Sequence, residues 1–225
     1  MHYDWDFSAL IPFLPSIFRG FLVTLELTAL SIAAGTLLGV LGGIMMRSRV
    51  VAIRVPLIFV SDIIRSLPIL VLLLGTNYFL PTLINMPSLS PFAIAFFALS
   101  LNLAVFIADV VRGGIANLAA GEIDAARALG FPPYQVLWRF QAPRVTQLCL
   151  PTFALLCIAT AKNSALASVV AVADLTHTIN LIVTDKMKSL EAYSVVAVLY
   201  IAMILPLSMF ARRMERSLGF KEIDA

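Results

Sequence analysis

Three groups of polar residues interrupt otherwise apolar stretches of this sequence. They are the pair Asp62 and Arg65, the pair Asp109 and Arg112, and the triplet Lys162-Asn163-Ser164. Charge inside a hydrocarbon environment is costly, so such residues usually face a cavity, a water-filled path or one another. A lysine in that setting can bind the carboxylate of a small solute through a charge-assisted hydrogen bond.

Each group also has a structural alternative. Asp62 and Arg65 have the i,i+3 spacing that allows ion pairing on one helix face, and so do Asp109 and Arg112. Pro68, about one turn after Arg65, is expected to break its helix. Backbone carbonyls can hold Lys162, and Asn102 can hydrogen-bond to a neighbouring helix. With these alternatives open, the candidates for a substrate path are Lys162, Asn163, Ser164, Arg65 and Asn102.

The composition shows which elements must position these residues. The sequence is 60% hydrophobic and only 13% charged, with a mean hydropathy of +0.96. A soluble domain carries about 25% charge, so lipid must be the main solvent. A membrane-spanning helix needs about 20 apolar residues, and the qualifying windows are residues 20–45, 55–80, 91–112, 146–172 and 193–211. We therefore expect an all-α integral membrane protein with five transmembrane helices.

Basic residues are distributed unevenly among the connections between these windows. One set follows the first, third and fifth windows and comprises Arg47, Arg49, Arg54, Arg127, Arg139, Arg144, Arg212, Arg213, Arg216 and Lys221. The other connections carry only Arg19, Lys186 and Lys188. Because Lys and Arg concentrate on the cytoplasmic side, the N-terminus is predicted outside and the C-terminus in the cytoplasm. The same rule explains the pI of about 9.1 without a nucleic acid partner.

Small residues recur every fourth position in the first window, at Ser31, Gly35, Gly39 and Gly43. Such a stripe lets another helix approach closely. We expect it to pack against another span of the same chain, with a contact between subunits as the alternative.

Residues 121–145, between the third and fourth windows, form a charged insert, GEIDAARALGFPPYQVLWRFQAPRV. Its alanines favour a helix over residues 122–129, and Gly130 suits the end of that helix. Pro132 and Pro133 prevent continuation and favour the first turn of a second helix over residues 133–140, which Pro143 is expected to close. The result is a cytoplasmic helix-turn-helix. An amphipathic connector lying on the membrane surface is the alternative.

The spacing within this insert matches a known motif. Asp124-Ala125-Ala126, three residues, Gly130, nine residues, Phe140, one residue and Ala142-Pro143 resemble the pattern EAA, three, G, nine, I, one, LP of ABC importer permeases. The segments IIRSLPILV and AKNSALASVVAVADL are also similar to that family, specifically to its polar amino acid branch. The resemblance covers residues 5–216. It departs from the family at Asp109 and Asp124, where glutamate is usual, and at Phe140 and Ala142.

The resemblance implies a type I ABC importer fold in which residues 121–145 are the coupling segment that docks on a cytoplasmic ATPase. Asp124, Ala125, Ala126, Gly130 and Pro143 are then the coupling residues. The implied partners are an ABC ATPase dimer, a second permease that is identical or homologous, and an extracytoplasmic amino-acid-binding protein. The implied location is the bacterial inner membrane. The N-terminal stretch WDFSALIPFLPSIFRGFLVTLEL is similar to glutamate/aspartate-type permeases.

Other classes of protein fit the sequence less well. The chain has no phosphate-binding glycine loop, so ATP and Mg²⁺ are expected on the partner ATPase. His2 and His177 are isolated, so no metal site or other cofactor is expected, and no catalytic set supports an enzyme. The nearest alternatives are a methionine or metal-ion ABC permease, which shares the coupling motif, and an ATP-independent secondary amino acid transporter, which leaves the insert unexplained.

Overall fold

The computed structural model describes residues 5–83, 85, 89–118 and 120–217, and the regular elements found there are all helical, which confirms the predicted all-α class. Lys221 lies outside the described residues. The α-helices are α1 (Leu14–Met45), α2 (Val51–Ser66), α3 (Ile69–Leu83), α4 (Pro91–Ala116), α5 (Ala120–Ala128), α6 (Pro133–Gln135), α7 (Ala142–Asn163), α8 (Leu175–Lys186) and α9 (Ser189–Ser217). Two 3-10 turns, Ser8–Phe13 and Ser164–Val170, precede α1 and follow α7.

Within the described residues, four helical stretches are long and apolar enough to cross a membrane, namely Ser8–Met45, Pro91–Ala116, Pro133–Val170 and Ser189–Met214. The predicted span over residues 55–80 is different. It consists of α2 and α3, which meet at 112°, so five spans result only if this bent pair counts as one. The break falls where the sequence predicted it, because Leu67 precedes Pro68 and adopts an extended conformation with ψ 133°.

The stripe of small residues packs α1 against α4 of the same chain, as predicted. A Cβ at Gly35 would approach Ser100 and Leu103, and a Cβ at Gly39 would approach Ala104 and Ile107. Residue numbers rise together along both helices, so α1 and α4 run parallel. Leu103, Ile107 and Val111 form a buried cluster at this contact.

Gly39→Ala is expected to destabilise the permease, whereas Gly42→Ala serves as a matched control in the same helix. A Cβ at Gly39 would lie 2.6 Å from Ile107 Cβ and 2.7 Å from the Ala104 carbonyl oxygen, while one at Gly42 would meet only Ala108 Cβ at 3.5 Å. Overpacking of this kind costs about 1–3 kcal/mol. Thermal unfolding of both purified variants measures the difference, and equal melting temperatures would contradict the close packing.

The helix directions divide the described part of the chain into two ends. Asp6 donates its backbone N–H to Glu191 Oε1 at 3.0 Å, so the residues just before α1 lie beside the start of α9. Cys149 Sγ contacts the Val110 carbonyl oxygen at 3.4 Å, and α7 runs antiparallel to α4. The ends of α1 and α4 and the start of α7 therefore lie together at the opposite end of the molecule, with the segment 117–141 beside them.

Candidate coupling and transport site

The turn predicted at Gly130, between α5 and α6, is present, and residues 129–132 are called the elbow below. It has the hydrogen bonds that typically end a helix. Gly130 has φ +81°, in the left-handed region that favours glycine. Its N–H donates to the Arg127 carbonyl at 2.9 Å, and the Phe131 N–H donates to the Ala126 carbonyl at 3.3 Å. This pair of bonds is the Schellman motif, which satisfies the last carbonyls of α5 and turns the chain sharply.

Most of the surface of α5 and the elbow is exposed. Asp124 and Arg127 pair at 3.7 Å, since their i,i+3 spacing puts them on one face of α5, and both side chains are mainly exposed. Ala126 is buried at 3% exposure, whereas Ala125 is exposed. The side chain of Glu122 lies outside the description. Large apolar side chains also project here, with Leu129 77% and Trp138 71% exposed. Exposed apolar groups of this size usually mark an interaction surface.

Pro143 does not end the second helix of the insert, so that prediction is wrong. The chain continues from α6 through a π-helical turn, Val136–Gln141, directly into α7. Pro143 lies in the first turn of α7, where its missing N–H is least costly because the wider π turn precedes it. Residues from Pro133 to Val170 thus form one helical stretch of 38 residues. Phe140 packs edge-on against Phe131 with ring centroids 5.3 Å apart, which ties the elbow to the π turn.

The two predicted ion pairs exist, and the structure joins them into one chain of four alternating charges. Arg65 pairs with Asp62 at 2.7 Å, and Arg112 pairs with Asp109 at 2.8 Å. Arg65 also pairs with Asp109, which links α2 to α4. Because two carboxylates already hold Arg65, its positive charge is largely neutralised before any substrate arrives.

Lys162 is exposed near the end of α7, and its ammonium group has neither a hydrogen bond nor an ion pair with any described residue. Ser164 differs, since it is buried and donates to the Ala161 carbonyl at 2.9 Å. Asn163 and Asn102 are half-buried. The antiparallel register of α7 on α4 places Lys162 at about the depth of residues 97–101, roughly one turn from Asn102. Lys162 and Asn102 therefore share one level of the helix bundle.

A buried polar cluster surrounds Asp174 and was not predicted from the sequence. Its carboxylate is fully buried and caps α8 by accepting the His177 N–H at 2.8 Å. The neighbouring Leu175 N–H donates to Thr24 Oγ1 on α1 at 3.0 Å. An aspartate immediately before the helical pattern LTHTINLI was the available signal, because aspartate is a preferred N-cap residue.

Burial raises the pKa of Asp174 from 3.8 to about 6, although the N–H groups of His177 and Thr176 act in the opposite direction. Asp174 lies between the long spans, which end at Val170 and resume at Ser189. A carboxyl group with a raised pKa binds its proton more tightly in the folded state. Its contribution therefore favours folding at low pH and is lost as the pH rises from about 3.8 to about 6.

Asp174→Asn is expected to remove this pH dependence while keeping the helix cap, because the asparagine side-chain oxygen can still accept the His177 N–H. As the pH rises from 4 to 8, the wild type should lose on the order of 3 kcal/mol of unfolding free energy that the variant does not lose. Thermal unfolding at both pH values gives the difference. Asp6→Asn is the control, since hydrogen bonds from Ser8 lower the pKa of Asp6. If stability depends on pH in Asp174→Asn as it does in the wild type, the Asp174 carboxyl is not a buried group with a raised pKa.

No group of three or more potential metal-ligating His, Cys, Asp or Glu side chains occurs in the part of the chain that the structure describes. Cys149 and Cys157 are both free.

The fold and the site together define a multi-span helical membrane subunit with an exposed helical elbow joined rigidly to one span. Residues 13–220 match the family of binding-protein-dependent transport system inner membrane components. The chain belongs to this family, which confirms the predicted resemblance to ABC importer permeases and identifies a multi-pass membrane subunit rather than an enzyme.

Individual relatives cover almost the whole chain. It is 31% identical over 217 residues to the glutamine transport system permease protein GlnP of Escherichia coli K12, which covers 96% of this chain and 98% of that protein. It is 27% identical to the arginine transport system permease protein ArtQ of Bacillus subtilis 168, covering 95% of this chain and 97% of that protein.

Solved structures agree with the fold. A crystal structure of an amino acid ABC transporter with histidines superimposes with a TM-score of 0.85 at 28% identity, covering 96% of this chain and 100% of that chain. An inward-facing structure of the MetNI methionine ABC transporter gives a TM-score of 0.75 at 21% identity, covering 92% and 98% of the two chains. The second likeness supports the fold alone.

Proposed function

We propose that this chain is the membrane permease of an ATP-driven importer that moves polar amino acids delivered by an extracytoplasmic binding protein. The exposed elbow at Gly130, continuous with the helical stretch Pro133–Val170, carries this proposal. ATP and Mg²⁺ would bind a separate ATPase dimer. A second permease, identical or homologous, would complete the path, since one chain of this size has too few spans to enclose it.

The continuity of the coupling segment with α7 suggests how ATP drives transport. An ATPase that closes on ATP would displace the elbow, and Pro133–Val170 would transmit this displacement toward Lys162 because no loop intervenes. The Phe131–Phe140 contact would keep the elbow from moving independently of that helix. Two permeases driven in this way would expose their path alternately to each side of the membrane.

The substrate class rests on Lys162 and on the relatives. An unpaired ammonium group at membrane depth needs an anion or water, and every amino acid brings an α-carboxylate. GlnP and ArtQ are named for glutamine and arginine transport, so polar amino acids are the best-supported class. The preference for glutamate or aspartate rests only on the N-terminal stretch. Asn163 and Asn102 would add hydrogen bonds, while Ser164 and Arg65 already have partners within the chain.

The orientation is part of the proposal. The described basic residues Arg47, Arg49, Arg127, Arg139 and Arg144 lie at the end of the molecule that carries the elbow. By the positive-inside rule this end faces the cytoplasm, which places the N-terminus outside. A cysteine introduced at Lys188, in a background without Cys149 and Cys157, should react with an impermeant reagent from outside. Reaction only from the cytoplasm would reverse the orientation.

Reconstitution tests the proposed function directly. The permease, its ATPase and the binding protein in liposomes should take up radiolabelled polar amino acids only when ATP is supplied on the ATPase side. Hydrolysis should accelerate when loaded binding protein is present. Uptake that persists without the ATPase would instead support a secondary transporter, and uptake of methionine alone would support the methionine class.

Lys162→Met is expected to lower uptake at least tenfold while the complex assembles normally, because a charge-assisted bond to the substrate carboxylate contributes about 1.5–3 kcal/mol. Methionine keeps the apolar stem of the side chain. Lys186→Met is the matched control, since Lys186 is exposed and pairs with Asp185 at 2.9 Å. Normal uptake by Lys162→Met would remove this residue from the substrate path, and failure to assemble would show that its role is structural.

A further inference from the structure

A large apolar groove lies at the elbow end of the molecule and is not used by the proposed transport path. Its volume is about 570 Å³, which falls within the range of about 300–1,000 Å³ that ligand pockets have. Three parts of the chain line it: α1 with Val40 and Ile44, the second half of α4, and the π turn with the first half of α7. Among the described lining residues, only Gln141 and Thr146 carry amide or hydroxyl groups.

The position of the groove shows what surrounds it. Val40 and Ile44 lie in the last two turns of α1, and Trp138 lies in the π turn, so the groove opens where the spans reach the membrane interface. Apolar side chains that face an empty volume lose their dispersion contacts. In a bilayer, a hydrocarbon chain can supply those contacts.

Two arginines lie close in the chain to residues that line the groove, and the indole ring of Trp138 is itself part of the lining. The backbone N–H of Arg47 donates to the carbonyl of the lining residue Ile44 at 3.0 Å, so the backbone of Arg47 lies in the turn that follows the α1 wall. Arg139 follows the lining residue Trp138 in the π turn. Both arginines are exposed, and neither has an ion-pair partner among the described residues. Tryptophan favours the headgroup level of a membrane, and arginine near the surface attracts anionic lipid.

We propose that this groove binds one acyl chain of an anionic phospholipid whose phosphate group contacts Arg47 and Arg139. The apolar lining would take the chain, and the two guanidinium groups would select the charge of the headgroup. Because Trp138 and Gln141 belong to the π turn, the bound lipid would also brace the junction between the coupling segment and α7. The lipid would thereby influence how firmly the elbow is held.

Native mass spectrometry of the purified permease complex tests the proposal, with phosphatidylglycerol and phosphatidylcholine as the probes. The wild type should retain phosphatidylglycerol in preference to phosphatidylcholine. Arg47→Gln and Arg139→Gln should each reduce that preference about fivefold. Arg213→Gln is the control, because Arg213 is an exposed cation on α9, outside the groove.

A second pair of variants tests the acyl-chain groove separately from the two arginines. Val40→Trp should fill the groove and abolish retention of either lipid, whereas Leu41→Trp, on an exposed face that does not line the groove, should retain the wild-type lipid. Both positions tolerate a large side chain sterically because both are exposed in the chain. Equal retention in Val40→Trp and wild type would overturn the proposal. So would a disulfide between two chains carrying Val40→Cys, since a second copy would then occupy the groove. Neither outcome depends on transport activity.

Discussion

A permease carrying Gly130→Val is expected to insert into the membrane but to lose its ATPase during purification, with ATP-driven uptake abolished. Gly130 has φ +81°, and a β-branched residue in the left-handed region is strained by about 1–2 kcal/mol. Relief of that strain would open the Schellman turn and change the angle between α5 and α6. Apart from its chain neighbours, a Cβ at Gly130 meets no atom of the described residues within 4 Å, so the strained backbone conformation and a docked partner are what would oppose the substitution.

Two further variants distinguish backbone strain at Gly130 from a clash with a docked partner. Gly130→Asn should preserve the turn, because asparagine tolerates the left-handed conformation better than other non-glycine residues. If the Asn variant also loses the ATPase, the partner must lie close against this position. Gly121→Ala is the control in the same segment, since a Cβ there meets none of the described atoms beyond its chain neighbours within 4 Å and Gly121 lies inside helix α5. Co-purification and uptake at wild-type levels in Gly130→Val would contradict a coupling role for the elbow.

The local features of the coupling segment were predictable because each depends on residues close in sequence. Alanines, Gly130 and the Pro132-Pro133 pair determine where α5 ends and α6 begins through backbone chemistry alone. The sequence also located the helix break before Pro68 and the small-residue face of α1. In each case the governing contacts lie within a few residues or follow a regular period of one helical turn.

Features that depend on distant residues were not predictable in the same way. The sequence could not reveal the 112° angle between α2 and α3, because Pro68 allows many angles and packing on α4 selects one. Pro143 was expected to end a helix, but the preceding π turn accommodates it. The burial of Asp174 depends on its approach to α1, where a Cβ at Gly20 would lie 2.9 Å from the Asp174 carbonyl oxygen.

The four linked charges on α2 and α4 show the same difference between local and long-range contacts. Reversing charges there is the change with the second large expected effect. Spacing predicted the pairs Asp62–Arg65 and Asp109–Arg112, but the link between Arg65 and Asp109 joins residues on different helices. Asp109 is the least exposed of the four, with 19% of its side chain exposed. Reversing its charge would place three positive groups together in a poorly solvated region.

Asp109→Arg and Arg65→Asp are therefore each expected to reduce the yield of folded complex, since each replaces attractive contacts between opposite charges with repulsion between like charges at a partly exposed site. Exchanging only these two residues should rescue folding incompletely. The exchange restores the central pair, but it leaves two carboxylates adjacent on α2 and two guanidinium groups adjacent on α4. Like charges at this spacing oppose helix stability.

Inverting all four charges restores the alternation of negative and positive groups. It should recover more folded complex than the central exchange, which swaps only Arg65 and Asp109. This quadruple variant is Asp62→Arg, Arg65→Asp, Asp109→Arg and Arg112→Asp. Size-exclusion yield and melting temperature measure folding, while uptake in liposomes measures transport. If Arg65→Gln abolishes uptake without altering assembly or melting temperature, Arg65 contacts the substrate rather than positioning α2. If the quadruple variant is no better than the central exchange, the four charges act as separate pairs, and the junction between α2 and α4 is held by apolar packing instead.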